Sequence, residues 1–187
     1  MDCDLMHDGK RHLMDEWILK AQETGFTTVA TLDIKTLNPM QEVREMCSSG
    51  RCQAYGRNWM CPPLCGSLDD CTTELAKYTQ GLLLQTVGQM QKRIDTKAYI
   101  QTEELHLQMF QKFAQMLREV YPDALCLGSG GCRVCEKCAY PAQCRFPDKA
   151  YSSMEGYGLF VSQVCKENGI KYYYGEKTIA YTACILF

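Results

Sequence analysis

Ala124-Leu125-Cys126-Leu127-Gly128-Ser129-Gly130-Gly131-Cys132 runs from a short apolar strand, through a glycine-rich turn, into a cysteine loop. The loop continues as Cys132-x2-Cys135-x2-Cys138-x5-Cys144 and closes with Arg145-Phe146-Pro147. Open α/β sheets hold their ligands beyond strand ends. Glycines ahead of the first thiol let the backbone approach a bound group closely and adopt positive φ. Four thiols in one loop of a soluble chain imply that something binds them.

Working outward, Thr102–Val120 predicts the clearest helix, with Leu105, Met109, Phe113, Met116, Leu117 and Val120 on one face. Pro122 stops it. Gly81–Val87 predicts a buried strand, and Gly88–Gln101 an exposed connection. Towards the N-terminus, Leu13, Met14, Trp17, Ile18 and Ala21 predict a helix over Arg11–Glu23, ended by Gly25. Phe26–Leu32 predicts a strand. Asn38 as cap, Pro39 at the first helical position and Gln41 predict a helix running to Met46. Ser67, followed by Asp69 and Asp70, predicts the start of a short helix. Beyond the cysteine loop, Ser152-Ser153-Met154-Glu155 suggests a capping box and a helix to Glu167. Ile170–Tyr174 and Lys177–Leu186 predict a terminal β-hairpin around Gly175-Glu176. Strands alternating with helices predict an α/β fold over residues 1–187 as one domain. The expected architecture is a mixed sheet flanked by helices, with cysteine-rich metal-binding loops at about 47–71 and 126–147 and a C-terminal β-hairpin. If its edge is exposed, a hairpin ending in Ile185-Leu186-Phe187 offers a place to pair across a dimer, although the sequence fixes no oligomeric state.

A net charge of −2 gives no basic field to attract nucleic acid or anionic lipid. No apolar run approaches the roughly 18–20 residues of a membrane helix. Met1-Asp2-Cys3-Asp4-Leu5 does not read as a secretory signal. These features predict a cytoplasmic protein. There, clustered cysteine means metal more often than disulfide. Thirteen cysteines, an odd number, cannot all pair.

The second loop matches the ferredoxin pattern C-x2-C-x2-C-x3-C-P at Cys132, Cys135 and Cys138. It departs at Cys144, whose gap is two residues longer, and Pro147 follows three residues later. A [4Fe-4S] cluster takes one thiolate per iron. Zinc also accepts four cysteines, more usually as two separated pairs. The even spacing favours a cluster over zinc. The first loop reads C-x4-C-x8-C-P-P-x-C and offers Cys47, Cys52, Cys61 and Cys65, with Cys71 either a substitute for any of them or part of the core. Tyr55, Trp59, Pro62 and Pro63 either shield that site from water or simply pack the loop. Cys3, Cys126, Cys165 and Cys184 are expected in the core as small hydrophobes, Cys126 being the one nearest a site. His7, His12 and His106 have no metal spacing; His106 is expected at the surface or in packing. Arg51, Arg57, Arg133, Lys137, Arg145 and Lys149 surround the loops. They serve cluster charge, an acidic partner or plain solubility. No P-loop, dinucleotide fingerprint or Ser–His–Asp order is present.

Cys47…Cys52-x2-Tyr55…Trp59-x-Cys61-Pro62-Pro63, the Gly131–Pro147 run and Ser153-Met154-Glu155-x-Tyr157-Gly158 resemble an uncharacterised cysteine-rich family. That family is described only as predicted metal-binding proteins, found largely in anaerobic bacteria and archaea. The resemblance extends from about residue 28 to the end. It implies metal binding through Cys47, Cys52, Cys61, Cys65, Cys132, Cys135, Cys138 and Cys144, and no assigned reaction. The leading expectation is an iron–sulfur protein with two [4Fe-4S] clusters that exchanges single electrons with a redox partner protein. The alternatives are an enzyme whose open cluster iron binds a small molecule, with the departure at Cys144 as its motive, and a zinc-stapled binding module. A redox or metal sensor shares the leading chemistry and differs only in output.

Overall fold

A computed structural model describes residues 3–50 and 52–187, with side chains from residue 12 onward. Arg51 and the side chains of Cys3 and His7 lie outside the described residues.

The chain runs α1 (Cys3–Thr24), β1 (Thr28–Thr31), α2 (Gln41–Ser48), α3 (Leu68–Leu75), β2 (Gly81–Gln89), α4 (Thr96–Arg118), β3 (Leu125–Gly128), β4 (Ser152–Ser153), α5 (Val161–Glu167) and β5 (Thr178–Leu186). Three 3-10 turns lie at Ile34–Thr36, Pro147–Lys149 and Glu155–Tyr157. The strands form one mixed sheet in the order β1-β2-β5-β3-β4. β3 and β4 pair in parallel; the other neighbours are antiparallel.

Successive residues of a strand point to opposite faces. Leu82, Leu84, Ala183, Ile185 and Cys126 therefore share a core with Trp17 and Ala21 of α1 and with Phe110, Phe113 and Leu117 of α4. Leu83, Cys184, Leu186 and Leu127 face the other way, against Cys71 and Leu75 of α3 and Val161, Val164 and Cys165 of α5. Helices cover both faces, which is why Leu82-Leu83-Leu84 reads as a continuous apolar run. Cys71, Cys126, Cys165 and Cys184 are all buried in these two cores. No described helix is long and apolar enough to cross a membrane.

The α/β architecture with a mixed sheet agrees with the sequence expectation. The terminal hairpin does not form. β5 gives one edge to β2 and the other to β3, so no edge remains for residues 170–174. The same placement removes the exposed edge suggested for dimer pairing. Tyr174 instead donates its hydroxyl to Gln85 Oε1 at 2.7 Å.

Three helix boundaries also differ. Met40, not Asn38, caps α2, because the Met40 amide donates to Gly158 O at 2.8 Å and holds Met40 extended. A Cβ on Gly158, whose φ is +76°, would meet Met40 N at 2.9 Å. α4 begins within the expected connection 88–101, because Asp95 caps it by accepting from the Ala98 amide at 3.2 Å. Its buried face runs through Thr102, His106, Met109, Phe110, Phe113, Ala114 and Leu117, leaving Leu105 and Val120 exposed. Ser152 and Ser153 do not cap a helix. They pair with Leu127 and Gly128, and α5 begins only after the Glu155–Tyr157 turn. Ser67 does cap α3, in a full capping box with Asp70.

His106 is packed inside rather than at the surface. Its Nδ1 lies 2.8 Å from Thr86 Oγ1, and its ring stacks on Phe110 and Tyr181. Burial pushes its pKa down from 6.5 to about 4. The unfolded chain therefore binds the extra proton first as pH falls. Stability is expected to be full above pH 6.5 and to fall by up to about 3 kcal/mol as pH drops from 6.5 towards 4. Urea unfolding across that window checks this, with His106→Gln expected to flatten the slope.

Candidate metal centre

The first cysteine loop hangs between α2 and α3. α2 carries Arg44 and Cys47 three residues apart, on neighbouring positions of one helical face. Tight turns shape the rest. Gly56 N donates to Pro62 O at 2.9 Å, Cys61 N to Asn58 O at 3.0 Å and Cys65 N to Cys61 O at 3.1 Å. These turns bring Cys47, Cys52 and Cys61 to one open space of about 400 Å³, beside Tyr55, Pro62, Gly130, Gly131 and Glu155. Cys65 stands next to that space. Its Sγ accepts from Arg44 Nη2 at 3.2 Å and lies 3.7 Å from Gly156 O.

The second loop leaves the end of β3. Cys132, Cys135, Cys138 and Cys144 line a narrow space of about 20 Å³, closed by Trp59, Met60, Val134, Arg145 and Phe146. Trp59 Nε1 donates to Ala142 O at 2.9 Å, and its ring meets Tyr140 edge-on at 4.9 Å. Arg145 donates to Lys137 O, and Arg133 pairs with Glu103. Arg145 therefore braces the loop internally, and Arg133 ties it to α4. Tyr151 OH accepts from the Arg133 amide at 3.1 Å.

The two spaces share a wall. Gly130 and Gly131 of the second loop line the first space, whereas Asn58, Trp59 and Met60 of the first loop line the second. A Cβ on Gly131 would stand 3.0 Å from Cys61 Sγ. Asn58 Nδ2 donates to Cys132 O at 3.1 Å across the wall. Ser152 Oγ donates to Met60 O at 2.9 Å and ties the first loop to β4.

Cys47, Cys61, Cys65 and Cys132 resist ionising. Burial, then Cys52, Cys65, Cys47 and Cys132, pushes Cys61 up to about 12. Cys47 is raised by burial and by Cys52 and Glu155, with Arg44 offsetting part. Burial raises Cys132, and the Val134 backbone eases it. Thiolates at this density need positive charge among them, which a metal supplies while displacing the protons. Soft thiolate donors, a glycine wall and a guanidinium on one sulfur fit a thiolate-bound metal group. Among the described residues, no three His, Cys, Asp or Glu side chains converge as the ligands of a single ion would.

The structure thus groups the second set of four around one space, and three of the first set around another with Cys65 alongside. Cys71 and Cys126 belong to the cores. Arg44, Asn58, Tyr151, Ser152 and Glu155 are part of the site, and the sequence alone did not mark them as such. Arg44 had a signal, its helical spacing from Cys47. Glu155 had a misleading one, since it reads as a cap. It sits half-buried in the first space with Oε2 sealed from solvent and unpartnered. Burial raises its pKa, with its own amide, the Ser153 hydroxyl and the Gly130 amide pulling it back.

Trp59→Phe removes one hydrogen bond from the lid of the second space, worth about 1 kcal/mol. Cys138 and Cys144 of the metal-free protein are expected to alkylate several-fold faster, read by peptide mass spectrometry, with Cys184 unchanged.

No curated protein and no solved structure matches the chain. A family described as "Predicted metal-binding protein (DUF2284)" matches residues 30–187, from within β1 through both cysteine loops to β5. The chain therefore belongs to this family of predicted metal-binding proteins.

Proposed function

We propose that the protein is an iron–sulfur electron carrier with one [4Fe-4S] cluster in each cysteine set, exchanging single electrons with a partner enzyme. The supporting observation is the shared wall. Two thiol sets stand on either side of Gly131, with Cys61 beside it and Cys132 next in the chain. Cys47, Cys52, Cys61 and Cys65 would hold one cluster, and Cys132, Cys135, Cys138 and Cys144 the other. A bound cluster supplies a one-electron store whose potential follows its charge, hydrogen bonds and solvent access.

The chain's own residues fit that role. Arg44 places a positive charge on Cys65 Sγ. Trp59, met edge-on by Tyr140, lines the second space and restricts water there. Cys52 and Phe146 are exposed and bring each set to the surface where a partner can reach it.

The roomier first space supports a second reading, in which a small molecule reaches metal there. Its 400 Å³ and the unpartnered Glu155 Oε2 favour it over an open site at Cys144, which lines the narrow space with its three companions.

Anaerobic reconstitution with iron and sulfide tests the proposal. The expected result is about four irons and four sulfides per set, with an EPR signal after reduction. Cys138→Ser should lower iron and sulfide together. Cys71→Ala and Cys126→Ala should keep both and cost about 1 kcal/mol of stability each. Stoichiometric zinc without acid-labile sulfide in anaerobically purified protein overturns the iron–sulfur assignment.

A further inference from the structure

We propose that Asn58 is a positioning residue that couples the two cysteine sets, so that filling one raises the metal affinity of the other. This rests on the reading that both sets bind metal, and it holds whichever metal that is.

Asn58 is 8% exposed, and both ends of its side-chain amide are bonded. Its Oδ1 accepts from the Met60 amide at 3.0 Å, and its carbonyl accepts from the Cys61 amide at 3.0 Å. Its Nδ2 crosses to Cys132 O at 3.1 Å. One residue thus bonds the backbone of a first-set cysteine and that of a second-set cysteine. Using both ends of the amide fixes its orientation. A shift of the 58–61 turn is passed to Cys132 rather than absorbed by a rotating side chain.

The packing leaves no slack. At Gly131 an added Cβ would stand 3.0 Å from Cys61 Sγ, 3.5 Å from Ala54 Cβ and 3.8 Å from Asn58 Nδ2. The turn that shapes the first space also supplies Trp59 and Met60 to the second. Met60 O is held by Ser152, and Trp59 by Ala142. Closing either loop on a metal orders the same turn. The entropy cost of that ordering falls on the first ion, and the second meets a pre-formed site. Such coupling is reciprocal by thermodynamic necessity.

Cobalt(II) alone is the probe, because its thiolate charge-transfer absorption reports each set under anaerobic conditions. One variant disables the first set (Cys47→Ser with Cys52→Ser), and another the second (Cys135→Ser with Cys138→Ser). Each is titrated with Asn58 present, with Asn58→Ala and with Asn58→Asp, which keeps the Met60 acceptor and loses the donor. With Asn58 present, disabling either set is expected to weaken cobalt binding at the other by about five-fold, the size one hydrogen bond carries. The loss should be equal in both directions. With Asn58→Ala or Asn58→Asp, both sets should still bind and the cross-effect should fall below about two-fold. A merely structural asparagine would weaken both sets without erasing the cross-effect. The proposal is overturned if disabling one set leaves the other unchanged, or if the cross-effect survives both substitutions. Zinc without sulfide in the native protein would remove the iron–sulfur assignment and leave this result standing. Cobalt binding at neither set would overturn this coupling and leave the iron–sulfur assignment to iron and sulfide analysis.

Discussion

Thiolates repel one another, and this chain stacks them. Cys61 sits at the centre of that conflict, buried, with Cys52, Cys65, Cys47 and Cys132 all raising the cost of its ionisation. The geometry around it is built to keep the sulfurs together anyway. Turns of the first loop hold Cys61 and Cys65 one helical turn apart. Arg44 reaches from α2 to one sulfur, and only a glycine separates Cys61 from the second loop. Burial and neighbouring thiols raise the cost of ionising Cys61; a cation would displace its proton and turn that crowding into ligation. The family assignment and the donor chemistry point the same way.

The sheet explains how two distant loops come to share a wall. β3 ends at Gly128 and releases the second loop, whereas β4 returns beside it at Ser152 and grips Met60 of the first loop. α2 is set against the Glu155–Tyr157 turn through the Met40–Gly158 hydrogen bond, which brings Arg44 and Cys47 to the same end. The helices on both faces supply the rigidity, since β2 and β5 are buried on each side.

Much of this was legible in the residues, where local rules govern. The run Leu82-Leu83-Leu84 marked a strand buried on both faces, and Ser67 with Asp70 marked a helix start. The spacing of Cys132, Cys135 and Cys138 marked them as one group, whereas Cys144 rested on the family resemblance and on count. Legibility ended where a distant partner decides. Asn38 had every local mark of a cap, yet Gly158 moved the helix start to Met40. Ser152 and Ser153 looked like caps, yet β3 drew them into the sheet. The hairpin failed for a topological reason, because β5 is needed between β2 and β3. Asn58 carried no sequence signal, since its importance lies in a carbonyl 74 positions away.

The place of β5 has a kinetic consequence. It is the middle strand of the sheet, and its longer partner β2 lies about a hundred residues earlier, paired from Gly81↔Leu186 to Gln89↔Thr178. Folding slows as contacts become more distant in sequence, because loop closure must precede the pairing that rewards it. Until β5 docks, one core lacks Ala183 and Ile185 and the other lacks Cys184 and Leu186, so full burial of Cys71, Cys126 and Cys165 waits on that strand. Sealing of the core thiols is therefore tied to β5 rather than to the cysteine loops.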